Sequence, residues 1–255
     1  MLTFQVIGCA SGMPHPKLAG SSYLVRQGGR LLLFDAGEGL SSALRRLDVD
    51  PRQIGTIFIS HMHSDHFIGV PLFIQMNYLL ERRQRLDIFL PAEAVGGMRR
   101  LLNLTYLFPH KLGFELELHK ITRSFSLEMI NLKVTPQANS HLQGHAKHLR
   151  GARLANKWEC YSFVIESGGR KIVYSADLGD LDDLLPVLAD TDLLVLDGMH
   201  VDLTQLPAVA VEHSVKRVLL THLPEEFDFK KVKEHCRRQG LRQVYQAKEG
   251  LMVDI

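Results

Sequence analysis

The sequence of 255 residues has few cysteines, no long apolar run and almost no net charge. Cys9, Cys160 and Cys236 lie far apart and form no Cys-x-x-Cys pair, which argues against a disulfide framework and against a structural zinc ribbon. No apolar run approaches the roughly 20 residues that a membrane span needs. The 30 basic and 28 acidic residues leave a formal charge of +2, so no global field indicates nucleic acid.

The amino-terminal residues 1–8 alternate like a strand and have no basic leader, so they do not read as a signal peptide. Together with the unpaired cysteines, this pattern predicts a cytoplasmic protein with no membrane partner. The 45% hydrophobic and 23% charged residues are typical of a globular chain with a sizeable core. Because neither an internal repeat nor a low-complexity linker interrupts it, we predict one domain over residues 1–255.

Hydrophobic periodicity predicts two β-rich halves with helices outside them. Strands are predicted near residues 2–8, 21–26, 30–35, 55–60, 86–90, 114–119, 129–135, 160–165, 171–175, 192–197, 217–221, 241–246 and 250–254. Helices are predicted near residues 38–47, 67–85, 91–113 with a looser connection, 180–188, 204–213 and 228–238. The polar stretch 137–157 reads as a long loop, and Gly168-Gly169 as a hairpin turn. This order favours an α/β fold, a four-layer αββα sandwich.

The densest chemical signal is the segment His61-Met62-His63-Ser64-Asp65-His66, which ends the apolar run of residues 56–60. Side chains two apart in an extended segment share a face, so His61 and His63 could bind one metal ion. Asp65 and His66, displaced by the turn, could bind a second ion about 3.5 to 4 Å away. A purely structural cluster is disfavoured, because burying unpaired imidazoles carries a desolvation cost.

Further ligand types stand where other predicted strands end. Asp177 follows the strand near 171–175, His222 follows the strand near 217–221, and His141 follows the strand near 129–135. Strand ends at one edge of a sandwich can converge, so these residues could complete a two-metal site. His145 and His148 lie in the same loop as His141, and either is an alternative ligand.

The order Asp35, His61-x-His63-x-Asp65-His66, His141, Asp177, His222 resembles the metallo-β-lactamase superfamily across nearly the whole chain. The stretch 33–39, Leu-Phe-Asp-Ala-Gly-Glu-Gly, is similar to ribonuclease Z and related phosphodiesterases. The resemblance implies an αββα fold with one ion held by His61, His63 and His141. It implies a second ion held by Asp65, His66 and His222, with Asp177 bridging. Imidazole and carboxylate donors suit two divalent ions, zinc first and manganese or iron as alternatives.

Hydrolysis is the simplest chemistry for such a site, because a hydroxide bridging two metal ions can attack phosphorus near neutral pH. Asp65 would bind a metal and also orient the nucleophile, and His200, which follows the strand near 192–197, is the candidate acid for the leaving oxygen. Asp35 is expected to hydrogen-bond a ligand imidazole or the turn. An exposed loop position for His200 and a plain turn role for Asp35 are the structural alternatives.

The basic loop after His141 favours an anionic phosphodiester as substrate, either a small molecule or a nucleotide. Its basic residues are His145, Lys147, His148, Arg150, Arg153 and Lys157. A solvated loop that never contacts substrate is the alternative. A homodimer is also left open.

Two features of the resemblance favour the small phosphodiesterases over transfer RNA processing. The His-Glu-Ala-Thr motif of ribonuclease Z is replaced here by Leu196-Asp197-Gly198-Met199, and a histidine stands three residues after Asp197, as in the cyclic phosphodiesterase of phosphonate breakdown. No Gly-Pro-rich arm is present. We therefore predict a metal-dependent phosphodiesterase, with a ribonuclease Z-like endonuclease acting on RNA and a non-hydrolytic sensor as the alternatives.

Overall fold

The structure, a computed structural model, describes residues 1–122, 124–149 and 156–255, without the side chains of residues 146–149. Two compact units are distinguished along the chain. The first comprises Met1–Thr122 and Lys248–Asp254, and the second comprises Arg123–Ala247 and Ile255. The single domain over residues 1–255 stays a prediction.

The first unit contains a mixed sheet of seven strands among its described residues, in the order β14-β1-β2-β3-β4-β5-β6. Its strands are β1 Leu2–Gly8, β2 Ser22–Gln27, β3 Arg30–Phe34, β4 Ile54–Phe58, β5 Leu86–Pro91, β6 Leu116–Ile121 and β14 Met252–Asp254. Strands β3 to β6 run parallel, with Phe34 beside Phe58 and Phe58 beside Phe89. The carboxyl ends of these four strands therefore lie at one edge of the sheet.

Helices cover one face of this sheet because their apolar residues repeat at helical spacing. They are α1 Leu40–Arg46, α3 Val70–Leu79 and α4 Val95–Leu104, with the single turn α2 Ser64–Phe67 before α3. Leu44 of α1, Phe73 of α3 and Met98 of α4 are buried in one core cluster with alternate strand residues such as Leu33 and Ile57. Complete burial of a side chain of this size stabilises the fold by about 1.5–3 kcal/mol.

The second unit contains a second mixed sheet of seven strands among its described residues, in the order β13-β12-β11-β10-β9-β8-β7. Its strands are β7 Leu127–Met129, β8 Leu132–Ala138, β9 Tyr161–Ser167, β10 Arg170–Tyr174, β11 Leu193–Asp197, β12 Val218–Thr221 and β13 Val244–Gln246. Helices α5 Leu206–Glu212 and α6 Phe229–Arg238 follow β11 and β12. Strands β10 to β13 are parallel, so their carboxyl ends share one edge.

The Gly168-Gly169 turn confirms the predicted hairpin. Both glycines have positive φ, 55° and 75°, and Arg170 pairs with Ser167 across the antiparallel strands β9 and β10. A two-residue turn with both central residues in this region matches the twist of the flanking strands, and glycine adopts it without steric cost.

Several predicted segments differ from the structure. The helix expected at 67–85 is only α3 Val70–Leu79 after the α2 turn, and the strand expected near 129–135 is divided by a turn into β7 and β8. The expected long loop at 137–157 overlaps the end of β8, and His141–Leu149 forms a 3-10 helix. The helix expected at 180–188 is the 3-10 helix Leu181–Val187, which begins with an Asp180/Asp183 capping box and contains Pro186. The helix expected at 91–113 is only α4 and the short 3-10 turn Pro109–Lys111. The polar composition of residues 137–157 gave no periodic apolar pattern from which this 3-10 helix could be predicted.

No disulfide joins Cys9, Cys160 or Cys236 within the described residues. Burial raises the pKa of Cys9 to about 11, with a further contribution from the carboxylate of Glu249, so this thiol is poorly reactive at neutral pH. Among the described residues, no helix is long and apolar enough to cross a membrane. The cytoplasmic location stays a prediction.

Candidate metal centre

The segment 61–66 follows β4 at the carboxyl edge of the first sheet. The backbone leaves the strand in an extended conformation at His63, with φ −69° and ψ 142°, and then enters the α2 turn, which contains Asp65 and His66. The His61 ring lies 4.7 Å from the His63 ring and 4.3 Å from the His66 ring, measured between centroids. His66 Nε2 lies 3.4 Å from Asp65 Oδ2. The first unit thus brings together the four predicted ligands of this segment.

Asp35 holds this segment in place, as the sequence predicts. Its fully buried carboxylate accepts hydrogen bonds from the Ser60 backbone N–H at 2.7 Å and the Ser60 hydroxyl at 2.9 Å. Asp35 Oδ2 also lies 2.8 Å from His66 Nδ1. Ser60 Oγ lies 2.9 Å from His61 Nδ1. A carboxylate on Nδ1 directs Nε2 of His66 toward a metal and fixes the tautomer, an arrangement common among metal-binding histidines.

Close backbone packing places glycines beside Asp65. A Cβ built on Gly37 would overlap the Asp65 carbonyl oxygen and would lie 2.6 Å from the Gly20 carbonyl carbon. Ala36 N–H donates to the His66 carbonyl at 2.6 Å, and Gly69 N–H donates to the Ala36 carbonyl at 2.8 Å. Only a residue without a side chain lets the two backbone segments approach this closely, so Gly37 sets the position of the turn that contains the candidate ligands Asp65 and His66.

The second unit brings the other three predicted ligands together. His141 Nε2 lies 3.7 Å from Asp177 Oδ2, and His222 Nδ1 lies 3.5 Å from Asp177 Oδ1. The side chains of all three residues are at most 8% exposed. Ala176 and His222 adopt left-handed φ values of 51° and 52°, a conformation that costs about 1–3 kcal/mol for a residue with a side chain and that clusters at functional sites.

His200 joins this group through Asp197. His200 Nδ1 lies 2.9 Å from Asp197 Oδ2, and its ring centroid lies 4.8 Å from that of His141 and 5.5 Å from that of His222. Asp197 also accepts hydrogen bonds from the backbone N–H groups of Met199 and Leu178. His200 is therefore not an isolated loop residue, because a buried carboxylate orients its ring.

Asp177, Asp197 and His200 also form a group that could bind a metal ion, which is an alternative to the orienting role of Asp197. One ligand atom from each of these residues lies within 4.8 Å of the others. Both oxygens of Asp197, however, already accept backbone hydrogen bonds, and Oδ2 also pairs with His200 Nδ1. We therefore assign Asp197 to orienting His200 rather than to binding a metal.

The sequence did not reveal the residues that hold Asp177 and His141. The Asn139 amide donates to the Asp177 carbonyl at 3.0 Å and to Ser162 Oγ at 3.1 Å. Asp183 Oδ2 accepts from the Ser140 N–H at 3.0 Å and the Ser140 hydroxyl at 2.8 Å. The one available signal was the polar pair Asn139-Ser140 directly before the candidate histidine.

The structure favours His141 over His145 as a ligand. His141 contacts Asp177, whereas His145 is exposed and joins no metal-binding group of the described residues. The side chain of His148 lies outside the described part, so that alternative stays open. In the predicted basic loop, Lys147, Arg150 and Arg153 also lie outside the described side chains, and Lys157 is exposed.

Both ligand sets fit divalent metal ions, on the chemistry of their donors. Each combines imidazole nitrogens with a carboxylate, a mixture that suits zinc and other transition metals. His66 receives the carboxylate partner on Nδ1 that metal-bound imidazoles have, and the buried positions of His61, His66 and Asp177 keep water from competing. The number and identity of the ions stay predictions.

Comparison with known proteins gives the family. A model of the "Beta-lactamase superfamily domain" family matches residues 30–235. The chain belongs to this superfamily. It is 30% identical to the ribonuclease Z of Pyrococcus furiosus, over 79% of this chain and 76% of the relative. The predicted resemblance is confirmed, and the chain is a metal-dependent hydrolase of the β-lactamase superfamily.

Solved structures confirm the predicted fold class. The metallo-β-lactamase fold protein YhfI from Bacillus subtilis matches with a TM-score of 0.78 and 22% identity, covering 99% of this chain and 98% of that one. The short form of human tRNase Z matches with a TM-score of 0.76 and 21% identity, covering 99% of both chains. These identities show a common α/β metallo-β-lactamase fold and nothing further.

Proposed function

We propose that this β-lactamase superfamily member hydrolyses phosphodiester bonds with two divalent metal ions, and that RNA is its substrate class. The observation that carries the proposal is a set of buried and partly buried histidine and aspartate side chains, accompanied by one further histidine, His200, that a carboxylate orients and that the set does not need as a ligand. Such a set supplies the metal-binding groups and the proton donor that phosphodiester hydrolysis requires.

The ligands divide into two groups in this proposal. His61, His63 and His141 would hold one ion, Asp65, His66 and His222 would hold the other, and Asp177 would be a ligand of both. The donor chemistry supports the division, because each ion receives imidazoles and at least one carboxylate oxygen. When bound, two such ions lower the pKa of a water molecule and neutralise charge on the phosphate.

Within this site, His200 has the role of general acid. Its Nδ1 pairs with Asp197 Oδ2, which leaves Nε2 as the atom that carries a proton to the leaving oxygen. The side chain is 32% exposed, so the ring can exchange protons with solvent between turnovers. Asp65 has the second catalytic role. Asp65 would bind a metal ion and would also orient the attacking water.

The substrate class rests on the relatives. Several relatives named ribonuclease Z, including that of Pyrococcus furiosus, align with most of this chain, which supports RNA more strongly than the motif comparison alone. The replacement of the His-Glu-Ala-Thr motif around Asp197 supports the second candidate, a phosphodiesterase acting on a small or nucleotide-derived ester. A sensor without hydrolytic activity has no observation in its favour.

A substrate screen tests the proposal. Purified protein loaded in turn with zinc, manganese and iron should hydrolyse bis-p-nitrophenyl phosphate, whereas a thioester and a β-lactam should react far more slowly. Cleavage of a precursor transfer RNA would separate the RNA enzyme from the small-ester enzyme. Thioester hydrolysis without any diester hydrolysis would refute the substrate class.

The metal assignment is tested by elemental analysis of variants. His63→Ala and Asp177→Ala should lower both metal content and activity, because each removes a ligand. His213→Ala, a histidine on the loop after α5, is the matched control and should retain both. Unchanged metal stoichiometry in the ligand variants would show that the assignment is wrong.

The acid role predicts a different pattern for His200→Ala. This variant should keep its metal content but lose about 10²- to 10⁴-fold in turnover, the usual contribution of a general acid. The loss should grow as the leaving group becomes a weaker acid, since a good leaving group needs no proton. An equal loss on all leaving groups would argue against the acid role.

A further inference from the structure

An exposed aromatic and basic surface lies on α4 and on the segment that follows it. We call it the aromatic surface, and its residues are Arg99, Arg100, Tyr106, Phe108, His110 and Lys111. Tyr106 is 72% exposed and neighbouring Leu104 is 77% exposed. The metal-binding residues described above do not include any of these side chains, so the proposed chemistry leaves the surface unexplained.

The rings of this surface form a continuous row. The Tyr106 and Phe108 centroids lie 6.0 Å apart with the rings nearly perpendicular, and the Phe108 and His110 rings are stacked 5.7 Å apart at 15°. Phe108 is half-buried and contacts the exposed rings of both Tyr106 and His110. Tyr106 and His110 are exposed at the two ends of this row, and exposed aromatic side chains can stack against nucleobases.

Tyr106 lies just after the carboxyl end of α4 in a left-handed conformation, and hydrogen bonds from the Tyr106 N–H to the Asn103 carbonyl and from the Leu107 N–H to the Leu102 carbonyl close this helix end. Its φ is 59°, in the left-handed region that a bulky side chain adopts rarely and at a cost of about 1–3 kcal/mol. A glycine or asparagine would stabilise the same turn at lower cost. The exposed ring recovers little of this cost by burial. The helix end accounts for the backbone conformation, so what the fold leaves unexplained is the exposure of a large aromatic ring at this position.

Three exposed cations lie close to the rings in sequence, Arg99 and Arg100 on α4 and Lys111 directly after His110. Arg99, Arg100 and Lys111 are exposed, and within the described part of the chain no salt bridge involves them. This distinguishes them from Arg85, whose guanidinium lies 2.8 Å from Asp87 and 2.6 Å from Glu115. Cations without carboxylate partners beside open rings complement the phosphates and the bases of a nucleic acid strand.

The aromatic surface lies away from the metal ligands within the first unit. Segment 61–66 follows the carboxyl end of β4, and α4 begins just after the carboxyl end of the parallel neighbour β5. Because α4 then runs back along the sheet for 10 residues, about 15 Å, the segment after it lies at the opposite edge, before β6 begins. A ligand on this surface therefore does not occupy the metal-binding segment.

We propose that the aromatic surface binds a single-stranded polynucleotide segment, by stacking bases on Tyr106 and His110 and by placing phosphates beside Arg99, Arg100 and Lys111. The proposal rests on the proposed function, since it assigns to an RNA-cleaving enzyme a second contact with its substrate. The alternative occupant, a second copy of this chain, would use the apolar area of Leu104 and Tyr106 and would leave three like charges unpaired.

Binding can be measured without cleavage. The full-length protein is titrated, in EDTA, into fluorescein-labelled oligomers of 12 uridines or 12 deoxythymidines, and fluorescence anisotropy is recorded. Tyr106→Ala should weaken binding about tenfold, in the range expected for one lost base stack. Tyr106→Phe should restore the affinity because it keeps the ring. Tyr245→Ala, which removes an exposed tyrosine elsewhere, is the matched control and should have no effect.

The charge contribution has its own readout. The double variant Arg99→Gln/Arg100→Gln should lower the slope of log Kd against log salt by about 1.4, since each phosphate contact to a single strand contributes about 0.7. The double variant Lys230→Gln/Lys231→Gln removes two exposed cations from α6 and should leave the slope unchanged. An equal change in both would indicate general electrostatic attraction and would overturn the proposal.

The outcomes separate this proposal from the proposed function. Binding that depends on Tyr106, in a protein that cleaves no phosphodiester, would support the aromatic surface and refute the function. RNA cleavage and RNA binding unchanged by Tyr106→Ala would support the function and overturn this proposal. No binding of either oligomer would also overturn it, as would a Tyr106→Ala variant that only converts a dimer to a monomer in sedimentation velocity. Hydrolysis of bis-p-nitrophenyl phosphate should be unaffected by the variant.

Discussion

Adding one methyl group at Gly37 should displace the metal-ligating turn. The Cβ of an alanine here would overlap the Asp65 carbonyl oxygen and would lie 2.6 and 2.8 Å from two backbone atoms of Gly20. Carbon atoms in contact are about 3.5–4.0 Å apart, so the backbone segments must separate by about 1 Å. Since all three neighbours are backbone atoms, no side-chain rotation can relieve the overlap. The displacement is passed directly to Asp65, because the overlapping oxygen belongs to that residue.

Two magnitudes follow for Gly37→Ala. Overpacking of this kind costs about 1–3 kcal/mol of folding stability. A displacement of about 1 Å in a catalytic group can reduce turnover about 100-fold. We therefore expect a reduced melting temperature, reduced metal content and an activity on bis-p-nitrophenyl phosphate about 100-fold below that of the native protein.

Gly55→Ala is the matched control for this substitution. Gly55 lies in β4, the strand that leads into segment 61–66, and a Cβ there meets nothing within 4 Å. The same added methyl group should therefore leave metal content, activity and melting temperature nearly unchanged. Should Gly37→Ala fold, retain its metal and hydrolyse the ester within twofold of Gly55→Ala, the close approach to Asp65 would not control the site and the reasoning would be refuted.

The remaining predictions concern three buried charged groups. Asp35→Asn should weaken zinc binding about 10- to 100-fold in a chelator competition, because His66 loses the carboxylate on Nδ1; unchanged affinity would contradict this role. Arg82→Met should lower the free energy of unfolding in urea by about 3 kcal/mol, because the buried guanidinium donates to three backbone carbonyls and to a buried amide; a loss below about 1 kcal/mol would refute this. Burial raises the pKa of Asp192, but the Lys216 ammonium and other donors lower it more, to below the ordinary 3.8. The stability from this carboxylate is complete above pH 3.8 and is lost as the pH falls through the lower folded value. The stability difference between the native protein and Asp192→Asn in urea unfolding should thus be constant from about pH 7 to pH 5 and shrink toward pH 3, and a difference that grew with acid would contradict the sign.

The grouping of the four candidate ligands in segment 61–66 was predictable because these residues are close in sequence. A strand followed by a tight turn fixes the directions of His61, His63, Asp65 and His66 through local backbone geometry alone. The positions of the candidate ligands Asp177 and His222 at strand ends were predictable for a related reason, because each lies just after a strongly apolar strand. The family resemblance added the order of these residues along the chain, which residue types alone do not supply.

The sequence left two alternatives for Asp35, a hydrogen bond that orients a ligand imidazole or the turn, and a plain turn role. Its contact with Ser60 and His66 depends on β3 and β4 being parallel neighbours in one register, which places Phe34 beside Phe58. A shift of one residue would turn the Asp35 side chain to the other face of the sheet. Residue type and local pattern do not determine that register, which is set by packing between distant strands.

The second half shows where local patterns fail. The polar composition of residues 137–157 predicted a loop, but Asn139 and Ser140 hydrogen-bond to groups from β9, from Asp177 and from Asp183, and a 3-10 helix begins at His141. These polar side chains act as caps and links rather than as solvated loop residues. Their partners lie 23 to 43 residues away in sequence, so no local rule could identify them.

By itself the sequence determined the residue types that can bind metal, the strands that carry them, the absence of a disulfide framework and the family. These properties depend on composition, short-range periodicity and order along the chain. The tertiary structure decided which residues orient the ligands, why Gly37 must lack a side chain and why His200 pairs with Asp197 at the end of β11. Those assignments depend on distances of about 3 Å between residues brought together by strand register and close packing, and such distances exist only in the folded chain.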